Sequence, residues 1–264
     1  MNRSSLLPFL AITGSLSLTT LAPAALIGYW DFNEGTGTSV ANSANASFNG
    51  TVAGGAAWVP GPLGFGSALS FDGVDDQVNT SFSAVTGSAA RTVAAWIKYP
   101  NQPGSSPNEF DAIVSYGNNT TSNRWTFRVS DTGAITPYQL RLEASGGGVN
   151  APTLLNDDAW HHVAVVQSGG TLGTVSLYVD GALQSVAYNG GGAALAINTV
   201  TGANTLTIGG SLHSAAYNFL GSIDEVRMYD EALTQSQVQA LMVPEPSASL
   251  LSLAAVTLLT RRRR

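Results

Sequence analysis

The feature that most constrains this chain is the rhythm of its apolar runs. Between residues 25 and 242 they are four to ten residues long, and clusters of Gly, Asn, Asp, Ser and Pro separate them. Runs of that length bounded by turn formers read as strands. They fall near 26–32, 68–71, 77–80, 92–99, 112–116, 124–130, 139–143, 161–167, 174–179, 205–208 and 219–229. Several alternate. In 174–179, Val175, Leu177 and Val179 share one face. Asp180-Gly181 then turns the chain, since Gly accepts positive φ without steric cost. One helix is predicted late, where Thr234 and Gln237 fit a capping box. There Val238 and Leu241 face inward, with Leu233 ahead of the cap, and the helix ends before Pro244. Many strands at short spacing with one late helix predict an all-β sandwich. The stretches 100–110, 145–158 and 186–203 read as long surface loops, where such folds carry variable function.

The two ends read differently. Arg3 precedes an apolar run over 6–21, and Ala22-Pro23-Ala24 supplies the small residues that a signal peptidase reads, so 1–24 is expected to be a signal peptide cut after Ala24. At the other end stand Pro244-Glu245-Pro246, an apolar run over 247–260, and Arg261, Arg262, Arg263 and Arg264. This order resembles a PEP-CTERM sorting tail over 243–264. The resemblance implies an exosortase-type protease as partner in a Gram-negative envelope. Four arginines are costly to translocate and tend to stay cytoplasmic. The run has fourteen residues, about 21 Å of helix against a hydrocarbon core of about 30 Å. That suits a weak, transient membrane anchor. An ordinary permanent anchor is the alternative.

What remains, 25–242, is expected to be one domain. The chain holds 11 basic and 17 acidic side chains; the ends take five arginines and Glu245, leaving 6 against 16 and a formal charge of −10. Nucleic acid, which requires basic patches, is excluded as a partner. Cations are favoured, although acidity also serves solubility alone. With no cysteine, the exported domain is held by its core, and by metal if any, rather than by disulfides.

Four segments carry a second resemblance. They are Gly28-Tyr29-Trp30-Asp31-Phe32-Asn33-Glu34-Gly35-Thr36-Gly37, Gly66-Ser67-Ala68-Leu69-Ser70-Phe71-Asp72-Gly73-Val74-Asp75-Asp76-Gln77-Val78, Trp160-His161-His162-Val163-Ala164 with the later Leu177-Tyr178-Val179-Asp180-Gly181, and Gly221-Ser222-Ile223-Asp224-Glu225-Val226-Arg227-Met228-Tyr229 with Ala232-Leu233-Thr234. In this order they resemble the laminin G-like branch of the concanavalin A-like lectin/glucanase superfamily. The resemblance implies a jelly-roll sandwich of two antiparallel sheets. Its members bind glycans or proteins, often with calcium; many are adhesive or structural, and a minority are glycosidases.

Calcium takes six to eight oxygen ligands. Asp72, Asp75 and Asp76 pack three carboxylates into five residues, and like charges so close repel unless a cation or solvent intervenes. Asp224 lies between Ile223 and Val226, and Asp31 between Trp30 and Phe32, positions where a carboxylate needs a partner. If the first and last strands lie side by side, Asp31 and Asp224 approach each other. The bland alternative has Asp72 and Asp75 capping turns and Asp224 paired with Arg227 or an amide. Glycosidase chemistry needs two carboxyls flanking the bond. Glu109 and Asp111 have the spacing but border a loop, and adjacent Asp224 and Glu225 point to opposite faces. His161 and His162 diverge across a strand, and no zinc spacing occurs. For stacking on sugar rings, Tyr188 with Asn189 and Tyr217 with Asn218 lie in or beside loops. Trp30, Trp96 and Trp160 read as core.

The expected protein is an exported, non-catalytic module of the cell envelope, cell surface or extracellular matrix. It binds polysaccharide or a surface protein, with calcium as a structural ion. A matrix component without a discrete ligand is the alternative, followed by a glycoside hydrolase.

Overall fold

In the computed structural model, which describes residues 24–101, 110–130 and 137–244, alternation along each strand sorts side chains between one apolar interior and two outer faces. In chain order the strands are β1 (Leu26–Trp30), β2 (Ser39–Val40), β3 (Gly50–Ala53), β4 (Ala57–Pro60), β5 (Ser67–Asp72), β6 (Gln77–Thr80), β7 (Arg91–Lys98), β8 (Phe110–Gly117), β9 (Arg124–Ser130), β10 (Gln139–Ala144), β11 (Gly147–Leu154), β12 (Trp160–Gln167), β13 (Val175–Val179), β14 (Ala182–Leu183), β15 (Ala187–Gly190), β16 (Thr207–Ile208) and β17 (Leu220–Tyr229). One sheet runs β14-β13-β12-β7-β17-β5-β4, with β1 also on β17; the other runs β15-β11-β10-β9-β8-β16-β6-β3-β2. Every pairing is antiparallel. The result is the two-sheet jelly-roll sandwich that the strand rhythm and the resemblance led one to expect. The signal segment before Ala24, residues 102–109 with Glu109, and the tail beyond Pro244 lie outside the described residues.

The interior is filled by one face of each sheet. Val93, Ala95 and Ile97 of β7 and Val163 and Val165 of β12 meet Trp125, Phe127 and Val129 of β9 and Leu140 and Leu142 of β10. Burying each large apolar side chain contributes roughly 1.5–3 kcal/mol. The helix α1 (Gln235–Ala240) has the predicted capping box between Thr234 and Gln237. Its Val238 and the preceding Leu233 cover Ala94, Ala164, Val166 and Tyr178 on the outer face of the eight-stranded sheet. That face is therefore divided: α1 roofs one part, and the loop between β4 and β5 reaches over another. Asp180 and Gly181 turn β13 into β14 with φ of 49° and 71°.

Three expectations need correction. The stretch 145–158 contains β11, and 186–203 contains β15; both join the nine-stranded sheet. Glycine hid β11 because it weakens a strand reading, yet it is required here. A side chain at Gly148 would come within 2.3 Å of the Arg141 guanidinium. Trp30 is core, fully buried, but Trp96 and Trp160 are only partly buried. They share the outer face of the eight-stranded sheet with Lys98 and His162, opposite to core residues Ile97 and Val163.

Candidate functional site

One row of residues crosses five adjacent strands on that outer face. Trp160 of β12 is opposite Lys98 of β7, Lys98 is opposite Ser222 of β17, Ser222 is opposite Ser70 of β5, and Ser70 is opposite Ala57 of β4. Every member is at least partly exposed. Its first four members, Trp160, Lys98, Ser222 and Ser70, floor a cavity of about 630 Å³, walled by Val59 and Pro60 on one side and by Pro100 and Asp158 on the other. Small side chains on β5 and β17 keep the floor low. Gly221 is obligatory, since its φ is 128° and a Cβ there would lie 2.3 Å from Lys98 O. Lys98 Nζ is 3.3 Å from Asp158, and both side chains stay in contact with solvent. Among its described residues the trough thus offers an indole, an ammonium donor beside a carboxylate acceptor, and two serine hydroxyls, with no net charge.

The next row inward is closed. His162, Trp96 and Asp224 follow one another across β12, β7 and β17, and Phe65 of the β4–β5 loop packs on the Trp96 ring at 5.7 Å. His162 meets Trp96 edge-on at 5.5 Å, and burial, with Arg227 nearby, pushes its pKa down to about 4. Trp96 Nε1, both His162 nitrogens and Asp224 Oδ2 are buried without a hydrogen-bond partner. Asp224 Oδ1 accepts the Glu225 amide at 2.8 Å. Arg227 bonds Glu225 instead. Burial, then the charge of Glu225, pushes the Asp224 pKa up to about 8.

The five candidate metal ligands fall into two groups. Asp72, Asp75 and Asp76 offer oxygens within 4.8 Å of one another. Asp76 Oδ2 accepts the Asp72 amide at 2.9 Å and Asp72 Oδ1 accepts the Val74 amide at 2.8 Å, so two of these carboxylates also cap the turn. Asp31 and Asp224 lie elsewhere. Asp72 is opposite Leu220, four residues before Asp224 on β17. β1 does pair with β17, and the Asp31 charge adds to the raised Asp224 pKa. A methyl group at Gly61 would lie 2.6 Å from Asp224 Oδ2, 3.2 Å from Gly66 O and 3.3 Å from Ser67 O. Three oxygens therefore crowd together, one of them an unpartnered carboxylate oxygen. That donor set suits a hard cation.

The loop pairs singled out for ligand binding separate as well. Tyr188 is exposed, whereas Tyr217 and Asn218 are buried. Asn218 donates to the Val74 carbonyl. Asn189 accepts from Arg141 at 2.9 Å, and Tyr217 lies beneath Arg124, 4.9 Å from guanidinium carbon to ring centroid. These two meet at a cluster of Arg124, Arg128, Arg141 and Glu143 on the outer face of the nine-stranded sheet. The sequence reading missed it, although three of the domain's six basic residues fall within 124–141. His161 bonds Asp180 and Asp157. Asp111 faces Tyr99, whose hydroxyl donates to it at 2.8 Å.

Domain 4 of AbnA, an extracellular arabinanase from Geobacillus stearothermophilus solved in complex with arabinotriose, is 21% identical with a TM-score of 0.60; the match covers 83% of this chain and 98% of that domain. Trypanosoma rangeli sialidase is 15% identical with a TM-score of 0.56, covering 82% of this chain and 32% of the sialidase. At such identities the likeness is one of fold. The mouse sushi, von Willebrand factor type A, EGF and pentraxin domain-containing protein 1 is 32% identical over 99 residues, 35% of this chain but 3% of its own length. Residues 72–239 match the laminin G family model. With that match spanning more than half of its length, the chain belongs to the concanavalin A-like lectin/glucanases superfamily.

Proposed function

We propose that this protein is an exported, non-catalytic module that binds neutral polysaccharide in the trough on the outer face of its eight-stranded sheet. The observation that carries the reading is the row Trp160, Lys98, Ser222 and Ser70. The apolar face of a sugar ring stacks on an indole, which combines an apolar body with a polar edge. A vicinal diol satisfies the Lys98 donor and the Asp158 acceptor together, and the serines take the neighbouring hydroxyls. Hydrolysis by a carboxyl pair finds one carboxylate among the described residues of the trough, Asp158, and Lys98 holds it. Domain 4 of AbnA, with its arabinotriose, supports a saccharide as ligand class.

Calcium belongs to the same reading as a structural ion. Asp224, with the Gly66 and Ser67 carbonyls, would hold it. Its charge would fix the β4–β5 loop over Trp96 and so set one wall of the trough. Export through 1–24 and sorting through 243–264 to the cell envelope, surface or matrix complete the proposal.

The test incubates the full chain with pentose- and hexose-based neutral polysaccharides, in calcium and then in chelator, and records bound protein and released reducing ends. Binding without cleavage is expected. Trp160→Ala should weaken it at least about tenfold, because truncating an aromatic anchor typically costs roughly 2 kcal/mol or more. Released reducing ends that vanish with Asp158→Asn would make the protein a hydrolase. A Trp160→Ala variant that binds like wild type would move the ligand elsewhere.

A further inference from the structure

The outer face of the nine-stranded sheet holds positive charge that the sandwich does not cancel. Arg124, Arg128, Arg141 and Glu143 are all nearly buried there. Arg128 and Arg141 are directly opposite on β9 and β10, a placement in which like charges destabilise a sheet. Glu143, the one carboxylate there among the described residues, is saturated. Its Oε1 takes Arg124, while its Oε2 takes Arg128 Nη2 at 2.8 Å and Arg141 Nε at 3.4 Å. Burial acts to raise the Glu143 pKa, but Arg128, Arg124 and Arg141 outweigh it and hold the carboxyl below its usual range. Burial, with Arg128 adding to it, pushes Arg141 down to about 10, still charged at neutral pH. Among the described residues, three guanidiniums against one carboxylate leave two positive charges in a poorly solvated place, where each costs several kcal/mol unless compensated.

Unmet donors point the same way. Arg128 Nη1 and Arg124 Nε are buried and have no hydrogen-bond partner. The Arg128 guanidinium cannot turn away, because it lies 4.6 Å from the centroid of Phe110. Phe110 in turn stacks on Tyr217 at 4.8 Å, and Tyr217 carries Arg124 on its ring. Arg141 is fixed separately by Asn150 at 2.7 Å and Asn189 at 2.9 Å. A rigid guanidinium with a free N–H and surplus charge matches an oxygen anion in both geometry and sign.

We propose that this cluster binds one oxyanion, a sulfate, phosphate or carboxylate group, against Arg128 Nη1. The net charge of −10 on the domain does not oppose this, because distant charges are screened within about 10 Å at ordinary ionic strength. The opening limits what enters. Solvent reaches 12% of the Glu143 side chain and 7% of that of Arg124. Arg128 Nη1 itself is closed to solvent, so a ligand reaches it only when this edge parts, which asks less of a free ion or a single acidic group than of a polymer backbone. The site is on the opposite sheet from the neutral trough, so the two stand or fall separately.

The test titrates the full chain with sodium sulfate, with glucuronate and with a polyuronate at constant ionic strength, following Tm and the heat of binding. A saturable response with one sulfate per chain is expected, weakened at least about tenfold in Arg128→Gln. Crystals grown with selenate should show one anomalous peak within hydrogen-bond distance of Arg128 Nη1. Displacement of sulfate by the polyuronate would identify an acidic glycan as the source of the group; sulfate and glucuronate binding without that displacement would identify a free ion. Sulfate also stabilises proteins generally by exclusion from their surface. A linear, non-saturating rise shared by wild type and Arg128→Gln therefore overturns the proposal, as does a selenate peak elsewhere with none at Arg128.

Discussion

The two outer faces of this sandwich obey the same alternation and end in opposite states. On the eight-stranded sheet, the row from Trp160 to Ser70 is open, and its one ion pair, Lys98–Asp158, sits in solvent with no net charge. On the nine-stranded sheet the outward positions carry three guanidiniums on one glutamate, nearly all hidden from water. An ion pair gains little in water and much in a poorly solvated place, where its solvation is also lost. The same chemistry is therefore open to a ligand on one face and a stability problem on the other. A ligand at the first has only to displace water. A ligand at the second supplies charge that the fold lacks.

The two faces differ most at Glu143. Glu143→Ala removes the only compensating carboxylate that the described residues supply to three buried guanidiniums, and should cost about 3–5 kcal/mol of unfolding free energy. Sulfate should restore part of that loss. A cost below about 1 kcal/mol in chemical denaturation would show the cluster to be as well solvated as a surface pair.

A second contrast is carried by pH. Burial and the Glu225 charge hold the Asp224 pKa at about 8 against an ordinary 3.8. The folded state thus keeps a proton that the unfolded chain releases. Stability is full below the unfolded value and falls as pH rises from about 4 to 8. Without calcium, Asp224→Asn should therefore raise Tm at pH 9 more than at pH 5. Calcium, which favours the ionised carboxylate, should raise the Tm of wild type at pH 9 and leave the variant unchanged. Parallel Tm profiles of wild type and variant across that range would mean that Asp224 keeps an ordinary pKa, and a calcium response equal in both would place the ion elsewhere.

Much of this was legible in the chain. Strand positions followed from apolar runs and turn formers, and the helix from the Thr234–Gln237 box, because those signals are local. What failed was non-local. Period two shows that Trp160, His162, Ala164 and Val166 share a face, but the residues between them include Val163 and Val165. With both faces apolar, nothing in the string says which is inward. β11 was hidden by glycines whose purpose, room for the Arg141 guanidinium, exists only after β10 and β11 pair. The arginine cluster follows the same logic. Arg128 and Arg141 are thirteen positions apart in sequence and become neighbours only through the register of β9 on β10. Of the acidic candidates, the Asp72–Asp76 turn was visible as a compact motif, while the isolation of Asp224 Oδ2 depends on a loop folding over it.

The smallest effect separates recognition from stability. Asp158→Asn removes the charge from an exposed pair whose members are 36% and 63% accessible. Such pairs contribute about 0–1 kcal/mol, because water screens them and ordering two flexible side chains opposes their attraction. Tm should hardly move, and what little is lost should vanish in high salt. Polysaccharide binding should fall by more than stability does, because the amide keeps an acceptor but loses the charge-assisted bond to a sugar hydroxyl. Titrating Asp158→Asn and Lys98→Met separately and together gives the coupling between them. Additive losses of affinity would mean that each contacts its own hydroxyl, whereas a double variant no worse than either single one would mean that the pair acts as a single donor–acceptor unit on one diol. A loss of Tm matching the Glu143→Ala loss would contradict the distinction between the faces, because an exposed pair has no buried charge to strand.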